Sequence, residues 1–326
     1  MILNLERHWY NRSLTWLTIL LLPLSYLFRF IVRLRQFLYR HQFIKTTHFP
    51  VPVIVVGNLT VGGTGKTPLV LWLAHFLKTQ GWRPGIVSRG MGGAKQFVPL
   101  WVDAHADPQN VGDEAILLAR HSACPVVICI DRVAAVKELL GNTDCNIVLS
   151  DDGLQHYRLG RRIEIAVLDG ERKLGNGYLL PAGPLREIPQ RLQQMDFVVQ
   201  QGEKRDKDYF QMQLQGNEVV SLVNSQDKLP LTHFKNVKVH AIAGIGNPQR
   251  FFSTLRQHGL EIIEHIFPDH YLYQADDFNF SEQLPIIMTE KDKVKCEELS
   301  DDRFWYLPVT TVIDKEFAVK LLQKLI

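Results

Sequence analysis

The chain has 326 residues, enough for two domains of ordinary size, and 46% hydrophobic against 22% charged residues marks it as globular, not disordered. A net charge of +3 is too small for a nucleic-acid binder, so no nucleic-acid partner is expected. Cys124, Cys129, Cys145 and Cys296 form no C-x-x-C pair and lie in or beside apolar stretches, which fits buried, reduced thiols and argues against a zinc site.

Residues 1–42 read as an N-terminal apolar and basic membrane anchor. The run LTWLTILLLPLSYLF (14–28) is interrupted by Pro23 and closed by Arg29. A bilayer-spanning helix needs about 20 apolar residues, and no small-x-small cleavage signal follows. The continuation RFIVRLRQFLYR has a helical period: Arg29, Arg33, Gln36 and Arg40 make one stripe, and Leu27, Ile31, Leu34 and Leu38 the opposite one, with Arg35 off the polar stripe. The pattern predicts an interfacial helix at an anionic membrane surface. Each arginine would contribute roughly 1 kcal/mol near the headgroups, with Trp16, Phe28 and Phe30 in the acyl boundary. The competing expectations are a helical hairpin packed on the protein's own core and a full transmembrane span, for which the run is short and broken.

From Val51 onward short apolar runs alternate with helical patterns. VPVIVVG, RPGIVSRG, CPVVICIDR, CNIVLSDDG, IEIAVLDG and MDFVVQQG read as buried strands, with PLVLWLAHFLKTQG and GDEAILLARHS as helices. Apolar runs separated by helices predict a doubly wound, mainly parallel α/β sheet. Residues 205–230 read as an antiparallel excursion or a linker, with Gly216–Asn217 as a turn signal. After it VKVHAIAGIGNPQRFFSTLRQHG, LEIIEHIFPDHY and LPIIMTEKD resume the α/β rhythm. The expected division is 1–42, 43–215 and a smaller α/β unit over 216–326.

GNLTVGGTGKTPLV (57–70) is a Walker A pattern, G-x-x-x-x-G-K-[ST], with Thr60 where the first glycine belongs. Its context is a buried strand before the loop and a helix from about Lys66. Residues Thr60, Val61, Gly62, Gly63, Thr64, Gly65, Lys66 and Thr67 are therefore the candidate nucleotide cradle, with backbone N–H groups and a helix N-terminus facing phosphate. Lys66 would reach the β- and γ-phosphates, and the Thr67 hydroxyl would take a Mg²⁺ position. Asp151 and Asp152 follow the apolar run NIVLS, where adjacent carboxylates repel unless a cation is near. ATP and Mg²⁺ are the expected cofactors, and a P-loop NTPase-like fold the expected frame. A GTPase is disfavoured because TEKD (289–292) misplaces the lysine of [NT]-K-x-D, and a partition-type ATPase because Val61 stands where its signature lysine would be.

The strings GNLTVGGTGKTP, SRGMGG, VGDEAILLA, SDDGLQH, LLPAGPLRE, AGIGNPQRFF, FPDHYLY and TEKDKVK occur in the order found in the tetraacyldisaccharide 4'-kinase family, the lipid A 4'-kinases, which this chain resembles from its N-terminal segment to about residue 295. The loop of that family also lacks the first Walker glycine, whereas its S-R-G-Y-G tyrosine is Met91 here. The resemblance implies transfer of the ATP γ-phosphate to the 4'-hydroxyl of tetraacyldisaccharide 1-phosphate. The expected setting is the cytoplasmic face of the inner membrane of a Gram-negative bacterium, with no obligate protein partner. It also suggests Asp113 as base, with His270 as its partner from the second unit; a pair split across two units would be completed only on closure. Asp152 joins the catalytic candidates, and Glu114 joins Thr67, Asp151 and Asp152 around the metal. Arg89, Arg132, His156 and Arg186 are the substrate-side candidates, since a guanidinium fork matches phosphate oxygens. The competing function is a membrane-associated regulatory P-loop ATPase that transfers no phosphate to lipid.

Overall fold

The computed structural model describes residues 5–11, 13–202 and 206–325, organised around two sheets. Two helices lead in, α1 (Leu5–Trp9) and α2 (Trp16–Arg40). Pro23, read as a break, lies inside the 25-residue α2. Proline removes one backbone hydrogen bond and crowds the preceding turn. Here its ring is on the exposed side, and the inner face is anchored: Ser25 Oγ donates to the Leu179 carbonyl at 2.7 Å, while Phe28 and Val32 pack on the core. Phe28 therefore faces the body and not an acyl boundary, whereas Trp16 and Phe30 stay 68% and 63% exposed. The expected polar stripe is also turned inward in part, because Gln36 finds hydrogen-bond partners on the body while Leu27, Ile31 and Leu34 are exposed.

The body opens with β1 (Val53–Gly57), α3 (Lys66–Thr79), β2 (Pro84–Ser88), β3 (Leu100–Trp101), α4 (Pro108–Val111) and α5 (Asp113–Ser122). It continues with β4 (Val126–Ile128), α6 (Arg132–Asn142), β5 (Ile147–Asp151), β6 (Ile163–Asp169), β7 (Phe197–Gln201) and β8 (Phe210–Gln215). The second sheet brings β9 (Glu218–Ser221), β10 (Lys228–Pro230), β11 (Lys238–Ala243), α7 (Pro248–Gln257), β12 (Glu261–Ile266), β13 (Ile286–Thr289), α8 (Glu290–Lys293) and β14 (Phe304–Leu307). The chain closes with β15 (Thr310–Ile313) and α9 (Lys315–Leu325).

The first sheet has the order β15-β8-β7-β6-β1-β5-β2-β4-β3 and is parallel from β8 to β4, as two-sided apolar runs require. One face packs Leu69 and Leu73 of α3 with Phe317 and Leu321 of α9; the other packs Val133, Val136 and Leu139 of α6. The second sheet runs β10-β9-β14-β13-β11-β12, with Phe251, Phe252 and Leu255 of α7 on its core.

Two long-range pairings escape the sequence reading. Gly216–Asn217 is no hairpin turn: β8 lies parallel to β7 in the first sheet, and β9 pairs with β10 and β14 in the second, so the turn is the crossing between sheets. Beyond Leu307 the chain returns, and β15 pairs antiparallel with the edge strand β8 (Val312 opposite Gln213), covering its open hydrogen-bonding edge. The smaller sheet thus lies between Glu218 and Leu307, a shorter span than the expected 216–326 unit.

Candidate active site

The carboxyl ends of β1 and β5, neighbours in the sheet, carry the phosphate-loop residues and the paired aspartates. This is where ligands bind in open parallel sheets. Thr60, at the missing first glycine, is buried and forms an antiparallel bridge with Leu185, and Val61 N–H donates to the Pro184 carbonyl at 2.9 Å. The loop entrance is therefore extended backbone stitched to the segment 184–186, a conformation any residue adopts. Asn58 Nδ2 donates to the Gly62 carbonyl at 3.0 Å and holds the loop's turn from inside. Lys66 begins α3 and sets its ammonium 3.7 Å from Asp152 Oδ1.

The two aspartates have different environments. Asp152 receives Arg186 through both terminal nitrogens, at 3.0 and 2.9 Å, as well as Lys66. Burial raises its pKa, but Lys66 and Arg186 outweigh burial and hold the carboxyl well below the usual range. Asp151 is fully buried, and neither carboxylate oxygen has a hydrogen-bond partner. Burial first, and then the charge of Glu114, push it up to about 7. Arg132, 3% exposed, donates to the Cys129 carbonyl at 2.6 Å and the Asp151 carbonyl at 3.4 Å, and burial pulls it down to about 10. His156 lies beside it, held down to about 4 by burial and by the Arg132 charge, with Nε2 3.6 Å from Asp131. Unpartnered buried polar atoms recur at this one place: Thr64 Oγ1, Ser150 Oγ, Asp151 Oδ1 and Oδ2, Arg132 Nε, Arg186 Nε and His156 Nε2. Native interiors satisfy such groups, so their concentration marks a place for a polar ligand.

The second cluster lies where the two sheets' lobes meet. Asp113 starts α5 and is buried; His270, on the loop after β12, places Nδ1 2.9 and 3.1 Å from its two oxygens. Burial raises the Asp113 pKa, but the His270 hydrogen bond and Lys291 outweigh it and the carboxyl is lowered. His270 is raised, its bond to Asp113 overcoming burial. His270 adopts φ of 62°, and a Cβ on Gly92 would sit 2.5 Å from its Nδ1, so the glycines of SRGMGG let that loop lie against the histidine. Arg89 and Met91, of the same loop, are exposed.

Two lysines that the sequence reading passed over complete this cluster. Lys291 reaches Glu114 at 3.0 Å, Asp269 at 2.9 Å and Asp113 at 3.9 Å, and these acids raise its pKa against the opposing effect of burial. Lys295, 2% exposed, lies 3.6 Å from Asp113 and 3.0 Å from Asp292. Their signal was the string TEKDKVK, quoted for the family resemblance, of which TEKD was weighed as a guanine motif, with no role given to either lysine. A second contact between lobes was also missed: Asp169, buried, accepts from Asn247 at 3.0 Å and from Arg250 at 2.6 Å. There Gly246 abuts Gly63 of the phosphate loop so closely that a Cβ on it would stand 2.3 Å from the Gly63 nitrogen.

Of the expected residues, then, Lys66, Asp151, Asp152, Arg132, Arg186 and His156 gather at the strand ends, and Asp113 and His270 meet at the lobe seam. Glu114 stands between, bonded to Lys291 and felt electrostatically by Asp151. Arg186 is occupied by Asp152 and Asn58 and does not extend toward a second substrate.

The family model described as tetraacyldisaccharide-1-P 4'-kinase matches residues 17–326. A tetraacyldisaccharide 4'-kinase of Nitrosococcus oceani is 49% identical over 321 residues, covering 98% of this chain and 93% of that protein. One from Coxiella burnetii is 49% identical over 316 residues, covering 97% and 93%. The crystal structure of LpxK from Aquifex aeolicus in complex with ATP matches with a TM-score of 0.77 at 30% identity, over 95% of this chain and 99% of that one.

Proposed function

The chain belongs to the tetraacyldisaccharide 4'-kinase family, a lipid A kinase by function, and we propose that its two clusters divide the transfer of the ATP γ-phosphate to the 4'-hydroxyl of tetraacyldisaccharide 1-phosphate. The observation that carries this division is Asp151, buried and unpartnered beside an Asp152 already held by Lys66 and Arg186. The first cluster holds the donor. Loop N–H groups and Lys66 grip the phosphates, and Arg186 with Asp152 keeps Lys66 aimed along the loop. Asp151 and the Thr67 hydroxyl fit a divalent cation, with Glu114 nearby. Among the described residues no three His, Cys, Asp or Glu side chains cluster as a metal site. Such a sparse donor set suits Mg²⁺, which takes one or two carboxylates and completes its shell from phosphate and water. When bound, Mg²⁺ neutralises charge at the transferring phosphoryl group.

The second cluster handles the acceptor. Asp113, ionised because His270, Lys291 and Lys295 face it, takes the proton of the 4'-hydroxyl as the hydroxyl oxygen bonds to the γ-phosphorus. The bond from that phosphorus to the β–γ bridging oxygen breaks, so that ADP leaves with the bridging oxygen. His270 orients the carboxylate and shares the developing proton. Because the pair straddles the seam, separation of the lobes leaves the base without its orienting partner, which guards against ATP hydrolysis. Of the substrate-side candidates only the exposed Arg89 is free to meet the acceptor, while the buried Arg132 and its neighbour His156 belong to the donor end. We assign α2 to a peripheral seat on an anionic membrane at the cytoplasmic face, where ATP is available: its outer face exposes Leu20, Leu24, Phe30 and Ile31, while Ser25 and Gln36 tie the inner face to the body. The helix is long and apolar enough to span a bilayer, but spanning would strip those inner contacts. Nothing in the site favours the regulatory ATPase, which has no use for an acceptor base.

The test is labelled phosphate transfer from ATP to detergent-dispersed tetraacyldisaccharide 1-phosphate. Labelled bisphosphorylated lipid is the expected product; lipid-stimulated ATP hydrolysis without labelled lipid would refute the reading. Replacing Leu24 and Phe30 by Asp should lower partition onto anionic vesicles by at least about tenfold, the cost of losing two apolar contacts.

A further inference from the structure

The inner face of α2 reaches the phosphate loop through an unbroken run of hydrogen bonds. Gln36 Nε2 donates to Glu187 Oε2 at 3.0 Å and to the Tyr157 hydroxyl at 3.0 Å, and Tyr157 itself donates to the same Glu187 oxygen at 2.5 Å. Glu187 is 1% exposed. Its other oxygen accepts from Gln155 Nε2 at 2.8 Å, and that amide also donates to the Asn58 carbonyl at 3.1 Å. Asn58 in turn donates to the Gly62 carbonyl. A parallel branch runs through the backbone, because Glu187 follows Arg186, whose guanidinium grips Asp152 and Asn58.

A buried carboxylate is costly unless its lone pairs are filled, and filled ones fix their donors in place. Glu187 meets that condition by drawing one donor from α2, two from the segment 155–157 and a charge contact from Arg191 Nε at 3.4 Å. Arg191 is itself shared with Glu164. The interior of the protein supplies enough apolar residues to seat α2 without polar contacts, as Phe28 and Val32 do. Gln36 is the place where the helix instead gives a donor to a charged group that is three hydrogen bonds from the loop, through Gln155 and Asn58 to Gly62.

We propose that Gln36 is a positioning residue for phosphoryl transfer, acting through Glu187, Gln155 and Asn58 on the phosphate loop at Gly62 and through Arg186 on Asp152. It rests on the reading of residues 60–67 as the phosphate loop. A helix held by a lipid surface on its outer face thereby steadies the catalytic loop through its inner face.

The experiment is a double-mutant cycle with Gln36→Leu and Glu187→Gln in the full chain, reading kcat and the KM for ATP at saturating detergent-dispersed lipid and the KM for the lipid at saturating ATP, with thermal unfolding alongside. Gln36→Leu should lower kcat about tenfold, the size of one hydrogen bond to a charged partner, while the KM for the lipid stays near wild type and the protein, though its unfolding midpoint falls, remains folded at the assay temperature. The double variant should lose no more than Glu187→Gln alone, because residues acting through one another are not additive. Tyr157→Phe, which keeps the ring against Tyr39 and removes only the hydroxyl, should lose kcat in the same direction. Wild-type kcat in Gln36→Leu, or losses that multiply in the double variant, would overturn the proposal. Full activity in Lys66→Ala would overturn the phosphate-loop reading and the proposal together, which separates the two failures.

Discussion

The phosphate end of the first sheet and the seam between the lobes are both buried and charged, yet they are satisfied differently. At the seam each buried charge has a partner of opposite sign: Asp113 with His270 and Lys295, Lys291 with Glu114 and Asp269, Lys295 with Asp292. At the phosphate end Asp152 is paired while Asp151, one residue away, has both oxygens unpartnered. The seam is therefore complete in itself and orders two lobes against each other. The phosphate end leaves Asp151 unpartnered, and burial with the nearby Glu114 charge pushes its carboxyl up to about 7.

The contrast is sharpened most by Lys66→Ala. Loss of the cation that faces Asp152 and that we assign to the phosphates should lower lipid phosphorylation by about 10³-fold, measured as labelled product; retention of most activity would remove the phosphate end from catalysis. His270→Ala should cost about 10²-fold in kcat, and combining it with Asp113→Asn should add little further loss, since the two act as one unit. Additive losses would break the pair into independent groups.

Asp151→Asn separates the clusters by stability. A carboxyl raised above its unfolded pKa contributes stability below that value and loses it as pH rises through the folded one. Between the ordinary value of 3.8 and about 7 the folded ligand-free protein keeps Asp151 protonated while the unfolded chain ionises it, so stability falls across that window and the loss is complete above about 7. The amide removes that cost, so the ligand-free variant should melt about 2–4 °C higher than wild type at pH 8 while losing Mg²⁺-dependent activity; a lower melting point would contradict the unpaired assignment. The seam has the opposite signature. Asp113 is lowered from 3.8, so its contribution is present above that value and is lost as pH falls through the lower folded pKa. His270 is raised from 6.5, so its contribution is full below 6.5 and is lost as pH rises through the higher folded value. The stabilisation of wild type over His270→Gln should thus be greatest between about pH 4 and 6.5 and shrink above, in thermal melts across pH. A flat difference would mean the pair carries no linked proton.

Much of the first lobe was legible because its signals are local. The strand-loop-helix around Lys66 and the acids ending β5 are short-range patterns whose physics does not depend on the rest of the chain. Thr60 looked like a defect because the motif treats the first glycine as conformational, whereas here the backbone is extended and bridged to Leu185. The seam was legible only through the family resemblance: no spacing links Asp113 to a histidine 157 positions away. Lys291, Lys295 and the Asp169–Arg250 contact were missed because tertiary approach alone gives them partners. The return of β15 to the edge of β8 is long-range in the same way. Pro23 misled in the opposite sense, since a local helix breaker was overridden by the packing of the inner face of α2.

The division of labour between the two clusters is tested most directly by measuring ATP affinity and single-turnover transfer on the same Asp113→Asn protein. ATP should bind as in wild type while transfer to the lipid slows by about 10²- to 10³-fold. Wild-type transfer, or an ATP affinity that falls by the same factor as the rate, would contradict the separation of donor binding from proton acceptance.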